Sequence, residues 1–431
     1  MGDTDDEIVR IKESALNDLI EEKAKERLQN RNDDTKDTAT KGFHSISRRQ
    51  FLKYTGLGIS GITLPSLVSA QSIIQPQEDG VSEIDAFSVN GHRLWVQSDE
   101  PSGPDPNDLW YLTENNSVQG WVYTGHSEIV AVVAVGPNGD YVYSGSYDEE
   151  VHQISVSDGS GGWVYTGHSG EVYGVAAGVN GEYVYSGGGY TDEEVHQISV
   201  SDGSGGWVYT GHSDDVRDVA VGPNGDYVYS GSYDEEVHQI NVSDGSQGWT
   251  YSGHSSSSLS VAAGPNSDYV YSGFGFSENE VHQISVSDGS QGWTYSSNTG
   301  PVRGVAAGVN GDYVYSAADE EVHQINVSDG SQGWTYSRNS VFDLEDVAVG
   351  PNGNYVYCCS SDDNDVHQIS VSDGSGGWVY TGHSTSVEDI AVGTNGDYVY
   401  SGSQNSENEV HQISSINEGS MVYWDGSNWR G

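Results

Sequence analysis

The sequence predicts an all-β chain: an eight-bladed β-propeller of four-stranded antiparallel blades, with a seven-bladed ring as the alternative count. Three observations carry this. Trp121, Trp163, Trp207, Trp249, Trp293, Trp334 and Trp378 recur at intervals of 42, 44, 42, 44, 41 and 44 residues, a period typical of propeller blades. Within each period, four short runs of Val, Ile, Tyr and Trp are separated by Gly, Asn, Asp, Pro and Ser, as strands are separated by turns. The span 81–424 holds 344 residues, which divide into eight units of 43.

The unit ending at Trp249 shows the elements in order. A first run, 216–221, leads into Pro223-Asn224-Gly225-Asp226 and a second run at 227–230. An acidic link, Tyr233-Asp234-Glu235-Glu236, leads to a third run at 237–242, then Asp244-Gly245-Ser246-Gln247-Gly248 and a fourth run at 249–251. We label the four strands a to d. The Asn-Gly pair between a and b and the Gly-rich segment between c and d are hairpin turns. Two divergent segments complete the count of eight. The first holds 84–89, Leu94-Trp95-Val96, Leu109 to Leu112 and Trp121-Val122-Tyr123. At the other end, Met421-Val422-Tyr423 stands where other units have Trp-Val-Tyr.

The run from Val237-His238-Gln239-Ile240 through Asp244-Gly245-Ser246-Gln247-Gly248 to Trp249 resembles the tryptophan-docking repeat of quinoprotein-type propellers, a strand and a Gly-containing turn ending in Trp at this offset. The resemblance covers 81–424. His212, Ser230-Gly231-Ser232 and Asp234 also resemble WD-repeats, but Ile240-Asn241 stands in place of the WD dipeptide. The resemblance implies a propeller whose repeated Trp join each blade to the next. It raises pyrroloquinoline quinone and calcium as cofactors, and a disulfide between Cys358 and Cys359 beside the quinone. The residues argue otherwise. An acidic quinone needs cationic partners, and no Lys follows residue 70. The Cys pair lies in a regular strand, where neighbouring side chains point to opposite faces, so two small buried thiols are expected. No cofactor and no metal site are expected.

Charge narrows the function. The chain carries 16 Lys and Arg against 64 Asp and Glu. Residues 1–70 hold 11 of the cations; beyond them the only cations are Arg93, Arg217, Arg303, Arg338 and Arg430, against 52 acids. That surface repels phosphate backbones, which excludes nucleic acid as a partner. It matches adaptation to concentrated salt, where a screening length of about 3 Å or less cancels self-repulsion.

Residues 1–46 form a charged extension with an amphipathic helical pattern at 6–30. Residues 47–70 join Arg48-Arg49 to an apolar, Gly-containing stretch ending at Ala70, which resembles a twin-arginine export signal. With 71–80 as a linker and 425–431 as a tail, the propeller is then a monomeric extracellular or cell-surface domain without a membrane span after signal removal.

The repetition weighs against catalysis, because an active site needs unique residues and near-identical blades repeat each residue type. The recurring strand-c histidines (His152, His196, His238, His282, His323, His367, His411) and the histidines before strand a (His126, His168, His212, His254, His383) are read as links between blades. The expected function is a non-catalytic scaffold for a protein or surface polymer. The alternatives are a quinone-dependent dehydrogenase-like enzyme, a propeller hydrolase or lyase, and a structural cell-surface component. The a–b and c–d turns hardly vary between units, whereas the d–a and b–c connections do. The face made by those two connections is therefore the candidate partner face, with Phe274, Phe276, Arg338 and Phe342 as anchors.

Overall fold

The computed structural model describes residues 116–275, 279–337, 343–361, 363–404 and 408–416, together with strands at 71–72, 85–89, 92–97, 109–112, 421–424 and 429–430. The helical pattern of the N-terminal extension and the Arg48-Arg49 to Ala70 segment lie outside the described residues. No described helix is long and apolar enough to cross a membrane.

In each repeat, four β-prone runs pair in sequence order as one antiparallel sheet. Blade 3 consists of Val216–Val221, Tyr227–Ser232, Val237–Asn241 and Gln247–Tyr251. Blades 1, 2, 4, 5 and 6 repeat it, starting from strands a at Val130–Val135, Val172–Ala177, Ser258–Ala263, Val302–Ala307 and Leu344–Val349. Blade 7 opens with Val387–Val392 and takes its outer strand from the other end of the ring. Asn116–Tyr123 pairs antiparallel with Val410–Ile416, from Val410 opposite Tyr123 to Ile416 opposite Asn116. The seven strands a touch one another in a closed cycle, so they surround the axis and the strands d form the rim.

The ring therefore has seven blades, the alternative count, and eight is corrected. Trp121-Val122-Tyr123 ends the outer strand of the seventh blade, and among the described residues no blade precedes the first. The divergent ends belong to a separate six-stranded sheet in the order Gln71–Ser72, Asp85–Val89, His92–Gln97, Leu109–Leu112, Met421–Trp424, Trp429–Arg430. There His92–Gln97 and Leu109–Leu112 run parallel, whereas every blade is antiparallel throughout. The chain divides into two compact units, 115–417 and 1–114 with 418–431.

The core lies between blades, because each thin sheet can bury its faces only against its neighbours. Val132, Tyr143 and Val151 of blade 1 pack with Val172, Val175, Val184 and Ile198 of blade 2, and this grouping recurs around the ring. Cys358 and Cys359 are both fully buried and sit in different clusters, as alternating faces of one strand require.

Each half-buried Trp of strand d docks on the next blade. The Trp207 indole N–H donates to the Val242 carbonyl at 2.9 Å, and its ring stacks on Tyr185 at 5.7 Å. The ring lies over Gly245, whose φ of +71° and lack of a Cβ are both needed: a Cβ there would come within 2.9 Å of the indole. Trp163, Trp249, Trp293 and Trp334 repeat the arrangement, and Trp121 does so from blade 7 onto blade 1. The strand-c Gln adds a second bond to the same carbonyl, as Gln197 does to Val242.

Candidate functional site

In blades 1 to 3 the residues that recur between blades are occupied with one another. In blade 1, His126 shares its Nδ1 with Asp148 at 3.0 Å and its Nε2 with Ser144 at 2.8 Å. Its ring stacks on His152 at 3.8 Å, and His152 bonds Glu150 and Tyr123, the latter from the preceding blade. Burial alone would raise the Asp148 pKa, but the hydrogen bond and charge of His126 outweigh it and hold the carboxyl at about 2. The same set recurs at His168, Asp192, His196 and at His212, Asp234, His238, and each triad brings three potential metal ligands close together. The stacked imidazole planes lie within 16° of parallel. The arrangement is that of a hydrogen-bonded staple.

Function has to be sought where the blades differ. The seven strands a read VAVVAV, VYGVAA, VRDVAV, SLSVAA, VRGVAA, LEDVAV and VEDIAV. Their last three positions are nearly constant, and the variation falls on the second and third.

The third position has a structural task. A register shift at the start of strand a leaves a backbone N–H of the next blade without a ladder partner. Asp218 accepts from Val261 N at 2.8 Å, Ser260 from Val305 N at 3.0 Å, Asp346 from Ile390 N at 3.4 Å and Asp389 from Val133 N at 2.6 Å. Burial pushes Asp218 up to about 6 and Asp346 to about 7. Asp389, hydrogen-bonded to Asp346, is driven well above the usual carboxylate range by burial and by that neighbour.

The second position carries Ala131, Tyr173, Arg217, Leu259, Arg303, Glu345 and Glu388. Of these, Tyr173, Arg217, Arg303, Glu345 and Glu388 stand at the axial mouth, on the face made by the d–a and b–c connections. The Arg217 guanidinium lies 3.7 Å from the Tyr173 ring centre and 4.8 Å from that of Tyr233, a b–c turn residue. Tyr147, the matching turn residue of blade 1, meets Tyr173 edge-on at 5.4 Å. Burial pushes the Tyr147 hydroxyl up to about 12. Arg303 pairs with Asp343 at 2.8 Å and Glu345 at 3.4 Å. Glu388 accepts a hydrogen bond from Gln404, and burial, then the nearby Glu345, push its carboxyl up to about 7.

Phe274 does not belong to this surface. It is completely buried, with its ring 3.2 Å from that of His254, and is corrected from partner anchor to core residue. It follows Gly273 as the last residue of strand b, whose side chain points inward. Phe276, Arg338 and Phe342 lie outside the described residues. The residues that sequence reasoning missed are Tyr147, Tyr173, Tyr233 and Arg217. Aligning the strands a against one another would have exposed Tyr173 and Arg217.

Among the described residues the mouth's two cations, Arg217 and Arg303, are already engaged by tyrosine rings and carboxylates, and its other ionisable groups are acids or tyrosines.

Seven four-stranded blades joined by a repeated docked Trp define a propeller of the PQQ-repeat class. The chain belongs to the family described as outer membrane protein assembly factor BamB, whose profile matches residues 78–273 and 277–417. No curated protein matches it at a significant level.

Proposed function

We propose that this protein is an exported, non-catalytic scaffold that binds a partner protein on the channel-mouth face and works in concentrated salt. The observation that carries the reading is the variation at the second position of strand a, where Tyr173 and Arg217 join Tyr147 and Tyr233. Aromatic and Arg side chains are the usual anchors of protein interfaces. The His, Asp and Ser repeated in blades 1 to 3 and most of the docked Trp are taken up in holding the ring, and no nucleophile with its base stands among the described mouth residues. The family description names an assembly factor, which supports a role carried out by binding other proteins. The Arg48-Arg49 segment and the excess of acids support export and the salt-rich setting.

The test is a photo-crosslinking amino acid placed in living cells at Tyr190, on the mouth face, and at Asn224, in an a–b turn on the opposite face. Crosslinking of a discrete partner from Tyr190 alone is the expected result. Crosslinks from Asn224 alone would show that the binding face has been misassigned.

A further inference from the structure

Away from the mouth, the blades also differ at the end of strand c. Its fifth residue is Ser in blades 1, 2, 4, 6 and 7, at Ser155, Ser199, Ser285, Ser370 and Ser414. Blades 3 and 5 have Asn241 and Asn326 there, each followed by Val-Ser: Asn241-Val242-Ser243 and Asn326-Val327-Ser328. Asn, any residue but Pro, then Ser or Thr is the acceptor pattern for an N-linked oligosaccharide on an exported chain.

The fold presents both acceptors alike. Asn241 pairs with Tyr227 and Asn326 with Tyr313, the first strand residues after the a–b turns of their blades. Val242 N–H donates to the Asp226 carbonyl at 3.0 Å, and Val327 N–H to that of Asp312 at 3.0 Å. Both acceptors thus lie on the face of the a–b and c–d turns, opposite the channel mouth. Asn241 Oδ1 accepts from the Ser243 N–H at 3.1 Å and from its hydroxyl at 2.8 Å, and Asn326 Oδ1 accepts from the Ser328 hydroxyl at 3.0 Å. The hydroxyl that the pattern requires is therefore already on the amide oxygen, and Ser243 and Ser328 are exposed. Nδ2 of each Asn has no hydrogen-bond partner among the described residues and is not sealed from solvent.

The rim beside these turns is polar. Gln247 lies opposite Ile240, next to Asn241, and its amide donates to Thr250 Oγ1 at 2.6 Å. Blades 4 and 5 repeat this bond from Gln291 to Thr294 at 2.9 Å and from Gln332 to Thr335 at 2.7 Å. Blades 3, 4 and 5 are neighbours, so the polar arc is continuous. Blades 1, 2 and 6 carry Val164, Val208 and Val379 in place of the Thr, with exposures of 45%, 46% and 42%. The arc that holds the acceptors has no such apolar rim for a hydrated sugar chain to cover.

We infer that Asn241 and Asn326 are N-glycosylation sites, modified outside the cell with an oligosaccharide carried on a lipid phosphate. Nδ2 displaces the phosphate at C1 of the first sugar. The N–C1 bond forms, the C1–O bond breaks with its electron pair leaving on the phosphate oxygen, and one Nδ2 proton passes to a base of the transferase. A chain exported folded meets that transferase as a finished ring, so its acceptors have to sit at turns, as both do here. The inference rests on the export in the scaffold reading above and goes beyond it: the sugars screen the turn face and leave the mouth face to the partner.

The test is peptide mass spectrometry on the protein recovered from the exterior of the producing cells and, separately, from their cytoplasm. Peptides spanning 241 and 326 from the exterior should carry a ladder of sugar masses, and those from the cytoplasm should not. Asn241→Ser and Asn326→Ser restore the residue of the other blades, so each variant should keep its melting temperature and lose one glycan. Ser243→Ala should lose the glycan at Asn241, and Ser243→Thr should keep it. Bare Asn241 and Asn326 on exported protein, or a glycan that survives Ser243→Ala, overturns the inference and leaves export standing. Protein found bare and only in the cytoplasm removes both.

Discussion

Replacing Trp207 by Ala removes one of the docked contacts between blades, and its cost can be worked from the contact. Truncating a fully buried large aromatic costs about 3–5 kcal/mol. Trp207 is half-buried, so about 2 kcal/mol belongs to packing on Tyr185 and Gly245. The lost indole hydrogen bond adds about 0.5–1 kcal/mol, held low because Gln197 still donates to the Val242 carbonyl at 3.2 Å. The total of about 2.5–3 kcal/mol lowers the melting temperature by roughly 4–5 °C for a ring of this size. Gly245→Ala attacks the same contact from the other side. It costs about 1–2 kcal/mol for a left-handed Ala, and more because the new Cβ meets the indole at 2.9 Å. In a Trp207→Ala background that collision is gone, so the double variant should lose about 1–2 kcal/mol less than the sum of the two single losses. Urea denaturation at fixed high salt measures all four proteins. Additivity within about 0.5 kcal/mol, or a Trp207→Ala cost below about 1 kcal/mol, would refute the docking of the ring on that glycine.

Burial of Asp346 and Asp389 sets a pH dependence: both carboxyls are raised in the fold, so folding binds protons and these groups favour the fold below their folded pKa. Their contribution falls as pH rises from about 4 through about 7, and Asp346→Asn should therefore stabilise the ring at pH 8 but not at pH 5; an equal gain in melting temperature at both values would show that these carboxyls do not govern the pH dependence. His254 and His383 are lowered to about 2 by burial, so their contribution runs the other way and is lost as pH falls below about 6.5. Asp234→Ala leaves buried His212 without its carboxylate, which sits 2.8 Å away, and should cost about 2 kcal/mol; a thermal shift of under a degree would show that the staple is dispensable. The melting temperature should climb between low and multimolar potassium chloride, as screening relieves a domain with 52 acids and five cations, and a flat profile would end the salt-adaptation reading. Arg48→Lys with Arg49→Lys should hold the protein in the cytoplasm, checked by fractionation; undiminished export would remove the signal assignment.

The blade was legible because it repeats. Trp spacing, Asn-Gly turns and period-two runs are local signals, and the strands formed where those signals lie. The blade count was not legible, since nothing local distinguishes an outer strand that closes its own blade from one donated to a blade almost 300 residues away. Seven evenly spaced Trp matched seven blades; the arithmetic on 344 residues counted segments that pair elsewhere. The site was hidden for a different reason. Loop variability drew attention to Phe274, although the end of strand b directs that side chain into the core. Tyr173 and Arg217 sit inside a regular strand, where only their neighbours around the axis give them a role.

The pairing of Asn116–Tyr123 with Val410–Ile416 makes synthesis and closure separate events. The strand at 116–123 leaves the ribosome first and finds its mate only once residue 416 has emerged. Until then the arc has two bare edges, each able to pair with a second chain in the same register. Joining ends this far apart costs about 5 kcal/mol in loop entropy if the intervening chain is unfolded. A chain whose blades are already stacked arrives with its edges side by side and avoids most of that cost. The last strand pair should therefore behave as a latch that snaps late, and loss of residues 116–123 should yield open arcs that associate head to tail.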